Sequence, residues 1–432
     1  MFAHADGASL LVRRLFVRTH HILPAHNIAV STALSPDGSW HCMWLIVLFW
    51  VFVGLTIYPF VIYPGLLWLY TSLFGKRPIT DETRLTVSLI IPCWNEENLI
   101  ERRLDNINEQ DYPADLIEIV IASDGSSDST NEIVARRAED DPRIKLLDLQ
   151  RGGQTAALDS GVQAATSDVV VITDAGTVFA EDTVSKLMSY FADDEVDCVV
   201  GAWTVVPLEE APHNRGERVY RGFEDRLRSL EARAGIAFHG QGACTGFRRE
   251  VYPRLPASIA ADLGAGLSIA VKGGKIVEAL DLGVRDYMDG ATQDQLRSRR
   301  RRVVRGMAAI RYNGKAMNPL HRCGLAFAVW SHKIMRWLTG FWMFGALITN
   351  AGLFFAHDIP LYDGLFYAQA AFYALALIGF AFDGTRVARF PLLALPMSIC
   401  MVAVAFSRGF LEVLAGTEED LWTPLGAKQP GE

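Results

Sequence analysis

Paired cysteines are what this sequence of 432 residues most clearly lacks. The six cysteines stand alone, with no two at a spacing typical of metal ligands or of a small disulfide-bonded domain. This scatter supports neither a disulfide framework nor a zinc site. A secretory signal with a small-residue cleavage site is also missing.

The segment 43–74 contains no charged residue. At about 1.5 Å per residue, a helix of this length crosses a hydrocarbon layer of about 30 Å with some tilt. The segment predicts one membrane helix, kinked at Pro59 or Pro64. Three further apolar segments near the C-terminus predict three more crossings: 334–355, 361–382 and 391–414.

Basic residues predict the orientation, because short cytoplasmic loops retain Lys and Arg. Lys76 and Arg77 follow the first helix, a basic block at 297–322 precedes the second, and Arg386 and Arg389 lie between the third and fourth. The region between the first two membrane helices is therefore expected in the cytoplasm, with the protein in the inner (cell) membrane. The block 297–322 would lie against anionic membrane lipid.

This reading divides the chain into five parts. The first 42 residues fit the predicted orientation less well, because Arg13, Arg14 and Arg18 would lie outside the cytoplasm. Met43 is a candidate true start of the protein, and a disordered or interfacial N-terminal tail is the alternative. The expected parts are an N-terminal tail at 1–42, a membrane helix at 43–74, a catalytic domain at 80–315, an interfacial segment with three membrane helices at 320–415, and a C-terminal tail at 416–432.

The middle region alternates apolar runs with helical patterns, which predicts an α/β domain with a mostly parallel central sheet. The runs are VSLIIP, IEIVIASD, IKLLDL, DVVVITDA and VDCVVGAW. Ligands of such sheets bind at the carboxyl ends of the strands. Polar residues follow three of these runs, at 92–97, 123–128 and 174–176.

Five segments together resemble the membrane-bound family 2 glycosyltransferases, inverting nucleotide-sugar enzymes of GT-A fold. They are PCWNEEN at 92–98, IVIASDGSSDST at 119–130, RGGQTAALDSGV at 151–162, TDAGTVF at 173–179 and GACTGFRREVY at 242–252. The resemblance extends over about 86–337 and the flanking membrane helices. In TDAGTVF it is to a subgroup that reads D-A-N, with Gly176 in place of the last residue.

The resemblance implies a site for a UDP- or GDP-linked sugar. It assigns the nucleobase and ribose to Asn95, Glu96 and Asp124, and the rest of the donor side to the residues Pro92, Gln154 and Asp174. The alternative for Asp124 is an ordinary turn and helix cap.

Asp174 is the expected ligand of Mg²⁺ or Mn²⁺, which would neutralise the diphosphate leaving group. Gly176 offers no second ligand, and Gln154 replaces the usual lysine, so weak metal binding is expected. The alternative is that Arg302 and its neighbours carry the diphosphate charge and make the metal less important.

The general base of the family aligns with Asp262, whose acidic neighbour is replaced by Ala261. Its alternative role is a plain helix N-cap. A family Q-x-x-R-W segment aligns with RRRRV at 299–303, which makes Arg302 and Arg299 candidate diphosphate and acceptor residues. Gly242, the first residue of the acceptor-side segment GACTGFRREVY, is the third candidate of this group. The segment lacks the tryptophan with which processive synthases grip a growing chain, which favours single additions. For Arg299 the alternative is a membrane-surface belt.

Three functions remain open at this point. The first is a membrane glycosyltransferase, involved in cell-envelope polysaccharide biosynthesis, that acts on a lipid-linked or envelope glycan acceptor. The second is a processive synthase, in which Arg408 of the last helix would face protein or water instead of reaching an interface. The third is a degenerate, nucleotide-binding subunit of a glycan assembly complex. No nucleic-acid partner is expected. SHKIMRW, at 331–337, resembles an interfacial turn and is expected to anchor the chain rather than to catalyse.

Overall fold

The computed structural model describes residues 36–207, 213–288, 292–385 and 387–416. Most of both expected tails, and Arg386, lie outside these residues. Residues 45–432 form one unit, and residues 1–44 form another, of which the structure describes the helical start from Pro36.

Eight strands form a single mixed sheet in the order β3-β2-β1-β4-β7-β6-β8-β5. Strands β1 to β4 are mutually parallel, β6 runs parallel to β8, and β7 and β5 pair antiparallel to their neighbours. The strands are β1 (Val87–Cys93), β2 (Ile117–Asp124), β3 (Ile144–Leu149), β4 (Val169–Ile172), β5 (Thr177–Val178), β6 (Val196–Pro207), β7 (Thr245–Arg248) and β8 (Lys275–Met288).

Helices cover both faces of this sheet. Alternate residues of a strand point to opposite faces, so a strand buried on both sides contributes to two apolar clusters. Leu89 and Ile91 of β1 belong to one buried apolar cluster, whereas Ile90 belongs to the other. The helices of this region are α3 (Ile100–Asn108), α4 (Thr130–Asp140), α5 (Gln154–Ala164), α6 (Thr183–Ser189), α7 (His213–Arg233), α8 (Ala261–Lys272) and α9 (Thr292–Tyr312). The predicted α/β class is confirmed.

Four helical segments of the described chain are long and apolar enough to cross a membrane: Trp40–Phe74, Thr339–Ala356, Pro360–Ala381 and Pro391–Leu414. The first consists of α1 (Pro36–Ile57), a π-helical turn (Tyr58–Ile62) and α2 (Tyr63–Phe74). The others are α12 (Thr339–Ala356), α13 (Pro360–Ala381) and α14 (Pro391–Leu414). Two short helices, α10 (Cys323–Ala328) and α11 (Met335–Trp337), precede α12 and flank a second π-helical turn (Val329–Ile334).

The sheet order β2-β1-β4 brings the three predicted polar segments to one edge. The β1–β2 ladder ends at Cys93↔Ser123 and the β1–β4 ladder at Ile90↔Ile172. The segments at 92–97, 123–128 and 174–176 therefore follow neighbouring parallel strands, with the β1 segment in the middle. This edge is where an α/β sheet binds its ligands.

Candidate active site at the strand ends

The loop after β1 is fastened to the loop after β2 by hydrogen bonds. Asn95 adopts a left-handed backbone conformation, with φ of 57°, which Asn tolerates better than most residues. Its backbone N–H donates to Ser126 Oγ over 3.1 Å, and its Oδ1 accepts from the Ser127 N–H over 2.8 Å. The Glu96 N–H donates to Thr130 Oγ1 over 2.9 Å. The side chain of Asn95 therefore already helps to close this edge of the site.

Glu96 is half-buried between these loops. Burial, together with the nearby negative charge of Asp128, raises the pKa of Glu96 to about 7. A carboxyl group with this pKa changes its protonation state near neutral pH.

Asp124 ends β2 with a buried carboxylate, which is 2% exposed. Its Oδ2 accepts a hydrogen bond from Arg151 over 2.6 Å, and its Oδ1 accepts from the Gly152 N–H over 2.7 Å. The Gly153 N–H donates to both oxygens, over 3.1 and 2.9 Å. Helix α4 has Ser129 as its N-cap, so Asp124 orders the loop before α5 instead of capping the next helix.

The Arg151 guanidinium also lies over the ring of Trp94, 3.8 Å from its centroid. Asp124 and Trp94 thus hold one arginine from two neighbouring loops. Pro92, buried in β1, lies past the end of the β1–β4 ladder, where its lack of an N–H removes no bond to β4.

Asp174 lies in the turn between β4 and β5 and is half-buried. Gln154 donates from Nε2 to Asp174 Oδ1 over 3.3 Å. A Cβ atom at Gly242 would lie 3.1 Å from Asp174 Oδ2, so a glycine there leaves room beside the carboxylate. Asp174 is thus the carboxylate of this turn, Gln154 turns its NH2 group towards it, and Gly176 adds no ligand atom. Such a donor set fits a hydrated Mg²⁺ or Mn²⁺ that takes its remaining ligands from a diphosphate.

Asp262 lies near the start of α8, where Ala260 is the N-cap and Ala261 the first helical residue. Its side chain is exposed, and its Oδ1 accepts a hydrogen bond from the neighbouring Leu263 N–H over 2.8 Å. Asp262 is therefore not the N-cap of α8, which was its alternative role. Arg305 of α9 donates to the Ile259 carbonyl over 2.9 Å and so supports the segment leading into α8.

One short segment connects Asp262 with Asp174. The Gly240 N–H donates to the Asp262 carbonyl oxygen over 3.0 Å, while Gly242, two residues on, borders the Asp174 carboxylate. The segment 240–242 thus joins the candidate base to the candidate metal ligand.

The basic candidates on α9 differ in exposure. Arg302 is exposed, whereas Arg299 is 8% exposed. Lys333, on the second π-helical turn, lies near both Arg302 and Asp262. Burial, with the positive charges of Arg228 and Arg302, lowers the pKa of Lys333 to about 8, against the opposing effect of Glu231 and Asp262. The motifs had assigned this turn to anchoring, so Lys333 is a charged group that sequence reasoning missed.

Arg103 is a second residue that the motifs did not indicate. It donates to Thr173 Oγ1 over 2.9 Å and to Asn106 Oδ1 over 3.0 Å, beneath the turn that carries Asp174. Burial lowers the pKa of Arg103 to about 10, against the attraction of Cys244 and Asp174. The one signal in the sequence is an arginine on the apolar face of α3, between Ile100 and Ile107.

Comparison with known proteins agrees with this geometry. The model of the family "Glycosyl transferase family 2" matches residues 88–255. A succinoglycan biosynthesis protein, ExoA, of Rhizobium meliloti is 35% identical over 130 residues, which cover 29% of this chain and 39% of that protein. The poly-β-1,6-N-acetyl-D-glucosamine synthase of Staphylococcus aureus is 32% identical over 124 residues, covering 28% and 29% of the two chains. These matches span well under half of either relative.

A solved structure is similar over a larger part of the chain. It is the mannosyltransferase PcManGT of Pyrobaculum calidifontis in complex with GDP-Man and Mn²⁺. The two chains are 25% identical, the match covers 86% of this chain and 100% of the other, and the TM-score is 0.63.

Proposed function

We propose that the chain transfers a sugar, with inversion, from a UDP- or GDP-linked donor to a lipid-linked or envelope glycan acceptor. The family 2 glycosyltransferase model matches residues 88–255, and a mannosyltransferase of known structure is similar over most of the chain, which supports the proposal. The observation that carries the proposal is the segment 240–242, which contacts Asp262 at one end and Asp174 at the other. A base and a diphosphate-side ligand that both lie against one short segment fit a displacement at a carbon held between them.

The donor side of the proposed site is the strand edge. Asn95, Glu96 and Asp124 would hold the nucleoside, with Pro92 shaping the start of the loop. Arg151, stacked on Trp94 and paired with Asp124, lies in the same place and offers a planar face to a base. The donor would therefore enter a loop arrangement that is already ordered by hydrogen bonds.

Asp174, which accepts a hydrogen bond from Gln154, would hold Mg²⁺ or Mn²⁺ on the diphosphate. When bound, the ion supplies positive charge to the leaving group. A single carboxylate predicts weak ion binding in the absence of donor, as does Gly176. Arg302, with Lys333 and Arg299 near it, adds positive charge from the protein itself, and Gly242 leaves space beside Asp174.

Asp262 would act as the general base. Its exposed carboxylate lies in the first turn of α8, where an acceptor hydroxyl can approach it. It would take the proton of the acceptor hydroxyl as that oxygen bonds to the anomeric carbon. The bond to the diphosphate oxygen breaks on the opposite face, which gives inversion.

Membrane location follows from the four long apolar helices. We place the catalytic domain, 80–315, in the cytoplasm beside the inner membrane, because Lys76 and Arg77 precede it and the arginines of α9 lie at its C-terminal end. Envelope polysaccharide assembly is a fitting setting, since relatives in the comparison act in polysaccharide synthesis.

Turnover by the purified full-length chain in detergent tests the proposal. We expect release of UDP or GDP from one member of a nucleotide-sugar panel in the presence of Mg²⁺ or Mn²⁺. Asp262→Asn should lower the rate at least about 1,000-fold, near the upper range for a lost base, without changing donor affinity. Asp140→Asn, an exposed aspartate at the end of α4, is the matched control.

Two results would contradict the proposal. Turnover that survives Asp262→Asn would remove Asp262 from the mechanism. Donor binding without turnover across the panel would leave the nucleotide-binding subunit of a glycan assembly complex as the function. The length of the product separates the remaining alternatives, because a ladder of products indicates a processive synthase and a single addition excludes it.

A further inference from the structure

A second group of metal-binding side chains lies inside the protein, in a region that the proposed reaction does not use. Glu231 comes from the last turn of α7, His239 from the segment before β7, and His332 from the second π-helical turn. They are 0%, 2% and 0% exposed. One ligand atom of each lies within 4.8 Å of the ligand atoms of the other two.

His239 points unpaired polar atoms into this group. Neither of its ring nitrogens has a hydrogen-bond partner among the described residues, and neither does Glu231 Oε2. His239 Nδ1 and Glu231 Oε2 are 3.7 Å apart, which is too long for a hydrogen bond. Two ligands at about 2.1 Å from one ion are separated by about this distance. Buried polar atoms without partners are costly, so an ion between them would remove that cost.

The two ring nitrogens of His332 each face a carboxylate. Its Nε2 is 3.1 Å from Glu224 Oε2, and its Nδ1 is 2.8 Å from Glu231 Oε1. A neutral imidazole has one N–H, so a ring that donates to Glu224 turns a lone pair on Nδ1 towards Glu231. Metal-bound histidines characteristically donate their second nitrogen to a carboxylate in this way.

Neighbouring groups orient the carboxylate and balance the charge. The Tyr63 hydroxyl donates to Glu231 Oε1 over 2.7 Å. Arg336 forms an ion pair with Glu224, and Arg228 lies 3.6 Å from the same carboxylate. These arginines face Glu224, beyond the His332 ring. Lys333 also lies near Glu231, whose carboxylate would face both this cation and the ion.

The backbone at His332 also departs from the ordinary helix. Val329–Ile334 is π-helical, and such turns occur often at functional sites. The ring of His332 lies 5.6 Å from the ring of His239, centroid to centroid.

We propose that Glu231, His239 and His332 bind a divalent transition-metal ion of the Zn²⁺ type, at a site separate from Asp174. Two imidazoles and one carboxylate suit Zn²⁺, Fe²⁺ or Co²⁺ better than Mg²⁺, which prefers oxygen ligands. The ion would join α7, the segment that leads to Gly240 and Gly242, and the turn that carries Lys333. Its role is to fix these three elements together, next to the proposed active site.

Metal content and Co²⁺ spectroscopy test the site in the full-length protein in detergent. The background is Asp174→Asn, so that an ion at the donor site does not contribute. After removal of metal with a chelator, we expect uptake of one equivalent of Zn²⁺ per chain, and visible absorption bands when Co²⁺ replaces it. His239→Ala and Glu231→Gln should each weaken this uptake at least 10-fold. His321→Ala, which removes an exposed histidine, should leave it unchanged.

Two outcomes would overturn the site: no stoichiometric Zn²⁺ uptake in the Asp174→Asn protein, or equal uptake by the His239→Ala variant. If the substituted proteins do not fold, the wild-type chain still gives an answer. Chelation should lower its thermal midpoint by several degrees, and Zn²⁺ but not Mg²⁺ should restore it. An unchanged midpoint would contradict the proposal. None of these readouts depends on sugar transfer.

Discussion

Arg103 has the largest of the fully buried side chains in the described residues. It reaches from α3 to Thr173, whose hydroxyl in turn donates to the Ala243 carbonyl over 2.8 Å. Its guanidinium also lies over the ring of Phe179, 4.1 Å from the centroid. One side chain therefore supports the two residues on either side of the β4–β5 turn, next to Asp174.

We predict that Arg103→Met destabilises the protein by about 3 kcal/mol, because Thr173 and Asn106 would lose a charged donor in the interior. Chemical denaturation in detergent measures this change. Arg102→Met, at the exposed neighbouring position, should change stability by no more than about 0.5 kcal/mol. Equal effects of the two substitutions would mean that the buried hydrogen bonds contribute little.

Glu96 predicts a dependence of stability on pH. Its pKa is about 7 in the folded protein and near the ordinary value of 4.5 in the unfolded chain. The folded state therefore holds a proton that the unfolded state has lost, so this contribution to stability is present below pH 4.5 and is lost as pH rises through 7. Glu96→Gln lacks this dependence.

The thermal midpoints of Glu96→Gln and wild type should therefore diverge as pH rises from 5 to 8, in favour of the variant. The full shift would correspond to about 3 kcal/mol, but the group is partly exposed and screened by solvent, so about 1 kcal/mol is expected. Glu139→Gln, at an exposed position of α4, should run parallel to wild type. Parallel curves for Glu96→Gln would show that Glu96 has an ordinary pKa.

Among the helices, α8 approaches a neighbouring backbone most tightly through Gly266. A Cβ atom there would lie 2.7 Å from His239 Cα and 2.7 Å from the Phe238 carbonyl oxygen. Because these are backbone atoms, they cannot move aside as a flexible side chain would. The position of Asp262 thus depends on a helix held against the segment that continues to Gly242.

We predict that Gly266→Ala lowers stability by about 2 kcal/mol through overpacking and reduces sugar transfer by displacing Asp262. Gly222→Ala is the matched control, because a Cβ atom at Gly222 of α7 meets nothing within 4 Å. In an open helical position the alanine should stabilise, by about 0.5–1 kcal/mol. Thermal unfolding and initial rates of both variants distinguish a local clash from a general effect of losing glycine.

The sequence predicted the parallel strands better than the other elements. VSLIIP, IEIVIASD and IKLLDL became β1, β2 and β3, because continuous apolar runs are typical of strands buried on both faces. Strands β5, β7 and β8 were not predicted, because their pairing depends on residues far apart in the chain. The expected kink near Pro59 is a π-helical turn, which spacing alone does not reveal.

Across the whole molecule, α9 joins the catalytic region to the last membrane helix. Glu412 of α14 bridges Arg300 of α9, over 2.6 Å, and Arg408 of its own helix, over 3.1 Å. Arg408, expected to face protein, water or an interface, is thus paired within the protein although largely exposed. Gly409 brings the two helices together, since a Cβ atom there would lie 2.8 Å from Val303 Cβ.

We predict that Gly409→Leu separates α9 from α14, lowers stability by about 2 kcal/mol and reduces transfer by shifting Arg302. Val404→Leu, on the exposed face of the same helix, should change neither property. Thermal unfolding in detergent and donor hydrolysis measure the two effects. Loss of activity in both variants would point to the membrane helix itself rather than to the contact with α9.

Candidate site residues could be predicted from the sequence where a motif lies within one loop. They could not be predicted where the fold brings distant elements together. Asn95, Asp124 and Asp174 follow strands, so their meeting at one edge could be inferred from the parallel sheet. Lys333 lies near Asp262 because the second π-helical turn packs beside the start of α8, which the sequence does not reveal. Glu231 and His239 carry no recognisable spacing relative to His332, because their proximity arises from the fold.

The two π-helical turns meet, with the hydroxyls of Tyr58 and Ser331 2.8 Å apart. Each turn contains one residue more than an α-helix would need over the same length. Removal of a single residue from Val329–Ile334 would restore an α-helix over this length and displace the side chains within the turn, while the flanking helices keep their faces. A deletion in the second turn should therefore displace His332 and Lys333 without moving the helices on either side, so it would separate the role of the turn from that of the membrane helices.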